Sequence, residues 1–322
     1  MNLGDIESSS APVGVRTGSR LHLGLLSVPG LDDAATTRRF GGVGLMIEQP
    51  EICVSVEPAA MWTCSGPHGE RALAAARRAS PNGRPFRVFV GSCPAAHTGL
   101  GTGTQLAMAA GAAVRQAAGI ATDAVELASL VGRGLRSGLG VHGFASGGFL
   151  VDGGKGPATA VAPLVARLEY PAEWRILLAL PRHERGMSGE TEASAFNDLR
   201  RTPADIGQTD ALCRLVLLGL LPSLAECDLP AFGEAVFEFN RRAGLLFKAS
   251  QGGEYASPAI AEVIAELRSM GLRGCGQSSW GPTVFAFADA DRLNHAAGRL
   301  RDKHGDDRLV VQVVAARNRG QA

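Results

Sequence analysis

Apolar positions change period several times along the chain, and each change marks an element. In "EICVSVEP", Ile52, Val54 and Val56 alternate with Cys53, Ser55 and Glu57, a period of two that predicts a strand. "FRVFVGS" at 86–92 repeats the pattern with Phe86, Val88 and Val90. Residues 59–84 between them are small and polar and predict a loop or short helix. Strong helix formers then fill 104–118, with Gly119 placed to end the run. Asp123 is a natural cap for the next helical pattern, "AVELASLVGRGL". "GGFLVDGG" at 147–154 predicts a short strand, and 154–163 a linker or long turn. "WRILLALP" at 174–181 predicts an apolar strand. Helical patterns follow over 206–225, 230–248 and 258–270, the last opened by Ser257 and Pro258. Strands at 282–289 and 309–317 enclose a helix at 290–303. Strands occur in both halves without a strict βαβ rhythm, which favours α+β over a doubly wound parallel sheet. No apolar run approaches 18 residues, so no membrane span is expected.

Composition narrows the function classes. The 322 residues carry a net charge of +1 with no basic stripe, so a nucleic-acid partner is not indicated. The first 12 residues are polar and acidic, unlike a signal peptide, and read as a disordered tail. The six cysteines form no CxxC and read as reduced thiols of a cytoplasmic protein.

One stretch carries the chemistry. "HTGLGTGTQ", His97 to Gln105, places three glycines and three threonines ahead of a helix. Such a loop offers free backbone N–H groups and the positive end of a helix dipole, both of which attract phosphate. Gly99, Gly101 and Gly103 allow close approach, and Thr98, Thr102 and Thr104 add hydroxyls. It is neither a Walker loop nor a dinucleotide fingerprint; a ligand-free tight turn is the structural alternative. Two further glycine-rich segments flank it in the sequence: "SRLHLGL", containing Arg20 and His22, and "GCGQSSWGPTVFAF" at 274–287.

The order of these three segments resembles the three motifs of the GHMP small-molecule kinases, over about residues 13–318. The resemblance implies a GHMP kinase-like two-domain α+β fold. Its N-terminal half, 13–165, would be ribosomal protein S5-like and its C-terminal half, 166–318, ferredoxin-like and helical. Many of those kinases place a base in an SGxxD-like stretch. Here "SGLGVHGF" has Val141 in place of that aspartate. Adding "RRFGGVGLMIE", "GRGLRSGLGVHGFASGGFLVDGG" and "GMSGETE", the whole pattern is more similar to a non-kinase branch, the β-ribofuranosylaminobenzene 5′-phosphate synthase family.

That resemblance implies an enzyme of tetrahydromethanopterin biosynthesis. It would join 5-phosphoribosyl-1-pyrophosphate to 4-aminobenzoate or 4-hydroxybenzoate with release of CO2 and pyrophosphate. Mg2+ would accompany the donor, ATP would not be required, and a homodimer is implied. An ATP-dependent kinase and a non-catalytic phosphometabolite-binding protein are the alternatives. Under the first reading Gly99, Gly101, Thr102, Gly103, Thr104 and Gln105 hold the pyrophosphate. Arginine forks suit the remaining phosphate oxygens. Arg20, Arg39, Arg133 and Arg136 are the leading candidates over Arg38 and Arg185, with a solvated surface charge as the alternative for each. His22 and His97, with His142 behind them, are candidates for proton transfer or acceptor orientation, although a structural histidine is as reasonable. Inversion from an α-anomeric donor to a β-riboside needs no enzyme nucleophile. A tight salt bridge to the acceptor carboxylate would oppose decarboxylation, so a looser pocket is expected, lined by Gln277, Ser278 and Trp280. "HERGMSGETE" at 183–192 reads as a mobile loop. Its Glu190 and Glu192, and Asp152, are candidate Mg2+ contacts; a solvated loop face and a turn-forming aspartate are the alternatives.

Overall fold

A computed structural model describes residues 11–28, 30, 38–187, 189–199 and 205–322. The first ten residues of the expected tail lie outside them. The first half contains β1 (Val13–Leu25), β2 (Gly42–Pro58), β3 (Thr63–Ser65), β4 (Phe86–Ser92), β5 (Phe149–Asp152) and β6 (Leu164–Leu168). Its helices are α1 (Gly69–Ala79), α2 (Thr102–Ala117), α3 (Ala124–Val131) and α4 (Leu139–Ser146). The second half contains β7 (Trp174–Pro181), α5 (Gly189–Leu199), α6 (Ile206–Leu215), α7 (Leu221–Ala225), α8 (Leu229–Leu245), α9 (Lys248–Gln251), α10 (Pro258–Ser269), β8 (Gly274–Gln277), β9 (Val284–Asp289), α11 (Ala290–His304) and β10 (Leu309–Val314).

The strands form two sheets. In the first, β1 runs antiparallel along β2, while β4 and β5 pair with opposite ends of β2. β3 and β6 form its two edges. The second is antiparallel in the order β10-β7-β9-β8. Side-chain alternation explains the layering. On one face of the first sheet, Val54, Val56, Val88 and Val90 pack with the apolar faces of α1, α2 and α3. In the second sheet, Leu177, Ala179, Val284 and Ala286 face α10 and α11. The opposite positions, Ile176, Leu178, Phe285 and Phe287, share one cluster with Phe232, Val236 and Phe239 of α8. That cluster also holds Leu21, Leu23, Val43 and Leu45 of the first sheet. A sheet buried on both faces reads as a continuous apolar run, as "WRILLALP" does.

The two halves therefore share a core. β6 spans the boundary expected at 165, and the last residues return to the first sheet. Ala316 bridges Ile47, Arg317 donates to Glu48 at 2.7 Å, and the Arg16 N–H donates to the Ala322 carbonyl.

Several elements differ from the sequence reading. The segment 139–146, glycine-rich and without a readable period, is helical as α4. Its glycines serve close packing, since a Cβ on Gly143 would lie 2.5 Å from Met46 Sδ. The loop expected to run to 192 turns helical at Gly189, because Ala195, Phe196 and Leu199 give α5 a buried face. The helical stretch Ile206–Ala225 is long and apolar enough to cross a membrane by length and composition, although polar residues interrupt its apolar run. It contains Asp210 and Arg214 and a π-helical stretch at Val216–Leu220, and it buries Leu212, Val216, Leu220 and Leu224 in the shared core.

Candidate active site

The N-terminus of α2 opens into a cleft of about 600 Å³, a size that suits a small-molecule ligand. Gly101 is the N-cap at φ +70°, and no side chain caps this end of the helix. The first-turn N–H groups of Thr102 and Gly103 have no intrahelical acceptor and stand at the positive end of a 16-residue dipole with no acidic side chain in its first turn. Gly99 has φ +81°, and a Cβ there would lie 2.4 Å from the Ser278 carbonyl, so only glycine fits.

Three distant segments are tied together at this loop. Ser278 Oγ accepts from the His22 backbone N–H at 3.0 Å and donates to the Gly99 carbonyl at 2.8 Å. The Ser279 N–H donates to the His22 carbonyl at 2.9 Å. Asn240 of α8 supports the same junction from below. Its Nδ2 donates to the carbonyls of Leu23 and Gln277, and its Oδ1 accepts from the Gln277 N–H.

One end of the cleft is cationic. Arg20 packs against Gly101, with its Cβ 3.2 Å from where a Gly101 Cβ would stand. Burial lowers the Arg20 pKa to about 10, against the opposing pull of Asp152 and Glu192, so it stays charged at neutral pH. Its Nε is buried without a hydrogen-bond partner. Arg133 faces Gly103 from the other side. Its pKa is lowered by burial and then by Arg71 and Arg78, and its Nε is also buried and unpartnered. His22 points into the cleft, and burial followed by the Arg20 charge holds its imidazole well below the usual range, hence neutral.

The other end is aromatic. Trp280 is 8% exposed and meets Phe247 at 4.5 Å and Phe196 at 5.8 Å between ring centroids. Arg136 stands between the two ends. Its guanidinium lies 4.5 Å from the Phe196 ring centroid and pairs with Glu192.

The structure brings together Arg20, His22, His97, Gly99, Gly101, Thr102, Gly103, Thr104, Arg133, Arg136, Gln277 and Trp280 along this cleft. Other expected site residues are turned elsewhere. Gln105 is fully buried, accepting from Thr17 Oγ1 at 3.0 Å and donating to the Gly140 carbonyl at 2.7 Å. Ser278 is fully buried as the tie described above. The Thr102 hydroxyl donates back to the Ala95 carbonyl rather than forward. Gln277 uses its amide on the Ala256 N–H and the Ser279 carbonyl. Arg39 pairs main chain to main chain with Lys155 and does not line the cleft. His142 Nε2 meets the Ala162 carbonyl at 2.8 Å, outside the cleft.

The carboxylates also differ from expectation. Asp152 is fully buried, and its oxygens accept from Ser137 Oγ and the N–H groups of Gly138 and Gly154. It shapes the 137–138 turn and does not line the cleft. Glu190 is exposed on α5, whereas Glu192, two residues further on and so on the other face of the helix, lines the cleft. Residues the sequence reading missed are Arg71, Phe196 and Phe247. The spacing of Ala195, Phe196 and Leu199 carried a helical signal for Phe196; nothing in the sequence marked Arg71.

Comparison with known proteins fits this architecture. Residues 220–307 match the family model for the GHMP kinases C terminal domain. Homoserine kinase from Cytophaga hutchinsonii superposes with a TM-score of 0.69 at 16% identity, covering 100% of this chain and 99% of that one. Mevalonate diphosphate decarboxylase from Staphylococcus aureus gives 0.60 at 13% identity, covering 97% of each chain. At these identities the likeness concerns the fold. Two curated relatives are closer in sequence, both named β-ribofuranosylphenol 5′-phosphate synthase, from Methanothermobacter thermautotrophicus and Archaeoglobus fulgidus. Each is 34% identical across 95% of this chain and 97% of its own length. The chain carries the GHMP kinase fold and belongs to the β-ribofuranosylphenol 5′-phosphate synthase family of transferases.

Proposed function

We propose that this enzyme transfers the phosphoribosyl group of 5-phosphoribosyl-1-pyrophosphate to the carboxyl-bearing ring carbon of 4-hydroxybenzoate or 4-aminobenzoate. The observation that carries this reading is the two-ended cleft: arginines without an ion pair among the described residues and open helix N–H groups at one end, an aromatic box at the other. A phosphorylated sugar pyrophosphate and a flat benzoate have the matching chemistry.

The bond from the anomeric carbon to the pyrophosphate oxygen breaks, and its electron pair leaves with pyrophosphate. The amides of Thr102 and Gly103 with Arg20 and Arg133 stabilise that developing charge; such preorganised donors are worth about 3–4 kcal/mol each. The ring carbon attacks, driven by the para hydroxyl or amino group. The bond to the carboxylate then breaks, its electron pair restores aromaticity, and CO2 departs. Neutral His22 can accept or donate a hydrogen bond to the leaving group.

The carboxylate must not be gripped too tightly, because a salt bridge stabilises the ground state more than the transition state. Arg136 beside the aromatic box is paired with Glu192, and Arg241 behind it with Glu238 and Glu254. That pairing supports decarboxylation. Mg2+, when bound with the donor, would neutralise phosphate charge. Of Glu190, Glu192 and Asp152 only Glu192 lines the cleft, and its carboxylate is engaged by Arg136, so the donor's own oxygens would hold the ion. A kinase that uses the base of the SGxxD-like stretch would need it where Val141 lies fully buried among apolar side chains, which favours the transferase over that alternative.

Mass spectrometry of a reaction containing the donor, Mg2+ and either benzoate tests the proposal. The expected product is a ribosyl phosphate of phenol or aniline that lacks the carboxyl group. A product retaining that carboxyl group, or a phosphorylated alcohol formed only with ATP, would overturn it.

A further inference from the structure

We infer that Arg71 of α1, together with Arg133, grips the outer phosphate of a pyrophosphoryl group bound at the α2 N-terminus, and so selects pyrophosphates over monophosphates. The inference rests on the donor reading above and extends it to a residue outside all three glycine-rich motifs.

Geometry places Arg71 there. A Cβ on Gly111 of α2 would lie 3.3 Å from Ala79 Cβ of α1, so the two helices touch at those positions. Arg71 lies eight residues before Ala79, and Gly103 eight before Gly111. At 1.5 Å per residue both displacements are about 12 Å. Arg71 and Gly103 both line the cleft, so these equal displacements run the same way and Arg71 stands level with the open first turn of α2. Arg133 arrives from the end of α3, which packs on α2 beside α1. Gly132 ends α3 at φ +71°, its N–H and that of Arg133 turn back onto α3 carbonyls, and the chain then points Arg133 at Gly103.

The charges ask for a polyanion. Arg71, Arg78 and Arg133 stand close enough to depress the Arg133 pKa, and no ion pair to any of the three occurs among the described residues. The Arg133 Nε is buried without a partner. Arg78 is committed to the Val131 carbonyl, whereas Arg71 is exposed and keeps its donors for a ligand. Uncompensated like charges raise the energy of the empty protein, and a ligand with charge on two phosphates relieves more of that cost than one with a single phosphate. Arg20, across the loop beside Gly101, remains for the inner phosphate.

The test is calorimetric binding of inorganic pyrophosphate and orthophosphate to the full chain, alongside steady-state kinetics. The Arg71→Gln variant is expected to weaken pyrophosphate binding roughly 10- to 100-fold, one lost charge-assisted contact, and to change orthophosphate binding less than about 3-fold. KM for the phosphoribosyl donor should rise in parallel, with kcat and the benzoate KM nearly unchanged. Arg71→Lys should recover part of the loss. Arg77→Gln, an exposed change on the same helix, should do nothing. If wild type binds pyrophosphate and Arg71→Gln binds it equally well, or loses both anions equally, the Arg71 assignment is wrong. If wild type binds neither pyrophosphate nor the donor, the donor reading itself fails.

Discussion

His22 illustrates how burial sets the chemistry of a single side chain. Its folded pKa lies well below the unfolded value of 6.5 because the imidazole is buried and Arg20 is adjacent. Above pH 6.5 both states are neutral, and the group adds no pH dependence. As pH falls below 6.5 the unfolded chain takes up a proton that the folded chain refuses, so stability drops. Urea unfolding at pH 5.5 and 7.5 should therefore show a smaller acid loss for His22→Gln than for wild type; equal losses would mean His22 titrates normally. At this scale the sequence revealed residue identity better than direction. Arg20, His22, Thr104 and Trp280 lie in readable motifs and reach the cleft. Gln105 and Ser278 lie in the same motifs and turn away, because a buried amide or hydroxyl goes where its hydrogen bonds can be satisfied. Arg71 sits in an unremarkable segment, and only the packing of α1 on α2 brings it to the site.

At the scale of elements, α5 and α8 hold the acceptor end. Glu192 of α5 keeps the Arg136 charge occupied. Freed by Glu192→Gln, Arg136 should bind the benzoate carboxylate and stabilise the ground state. The expected result is a lower KM for benzoate together with a lower kcat. A raised benzoate KM would show instead that Glu192 supports acceptor binding directly. Asn240 of α8 clamps β1 to β8. Asn240→Ala leaves one N–H and two carbonyls buried without partners and should cost roughly 3 kcal/mol in chemical denaturation; a loss under about 1 kcal/mol would mean water replaces the amide. Periodicity marked most elements, including β7, α8, α10 and α11. It missed β1, β8 and α4, whose glycines imitate turns, and the short edge strand β6, and it stopped short of α5, whose first turn is polar and charged.

For the whole molecule, the decisive feature is the core shared by both sheets. Leu21, Leu23 and Leu45 pack in one cluster with Phe232, Phe239 and Phe287. Residues 13–168 alone would expose that apolar face. Expressed separately, they should lack dispersed amide resonances and cooperative unfolding; a well-folded fragment would contradict the shared-core account. The α+β class was readable from strands in both halves without βαβ rhythm. The union of two sheets through one core was not, since alternation identifies a buried face without saying what covers it.

The most direct test of the central claim is the stoichiometry of turnover with ATP omitted. Carboxyl-labelled 4-hydroxybenzoate, 5-phosphoribosyl-1-pyrophosphate and Mg2+ are supplied, and labelled CO2 and pyrophosphate are counted together. Equal release of the two is the predicted result. Pyrophosphate without CO2, or neither product in a reaction that proceeds only when ATP is restored, would contradict it.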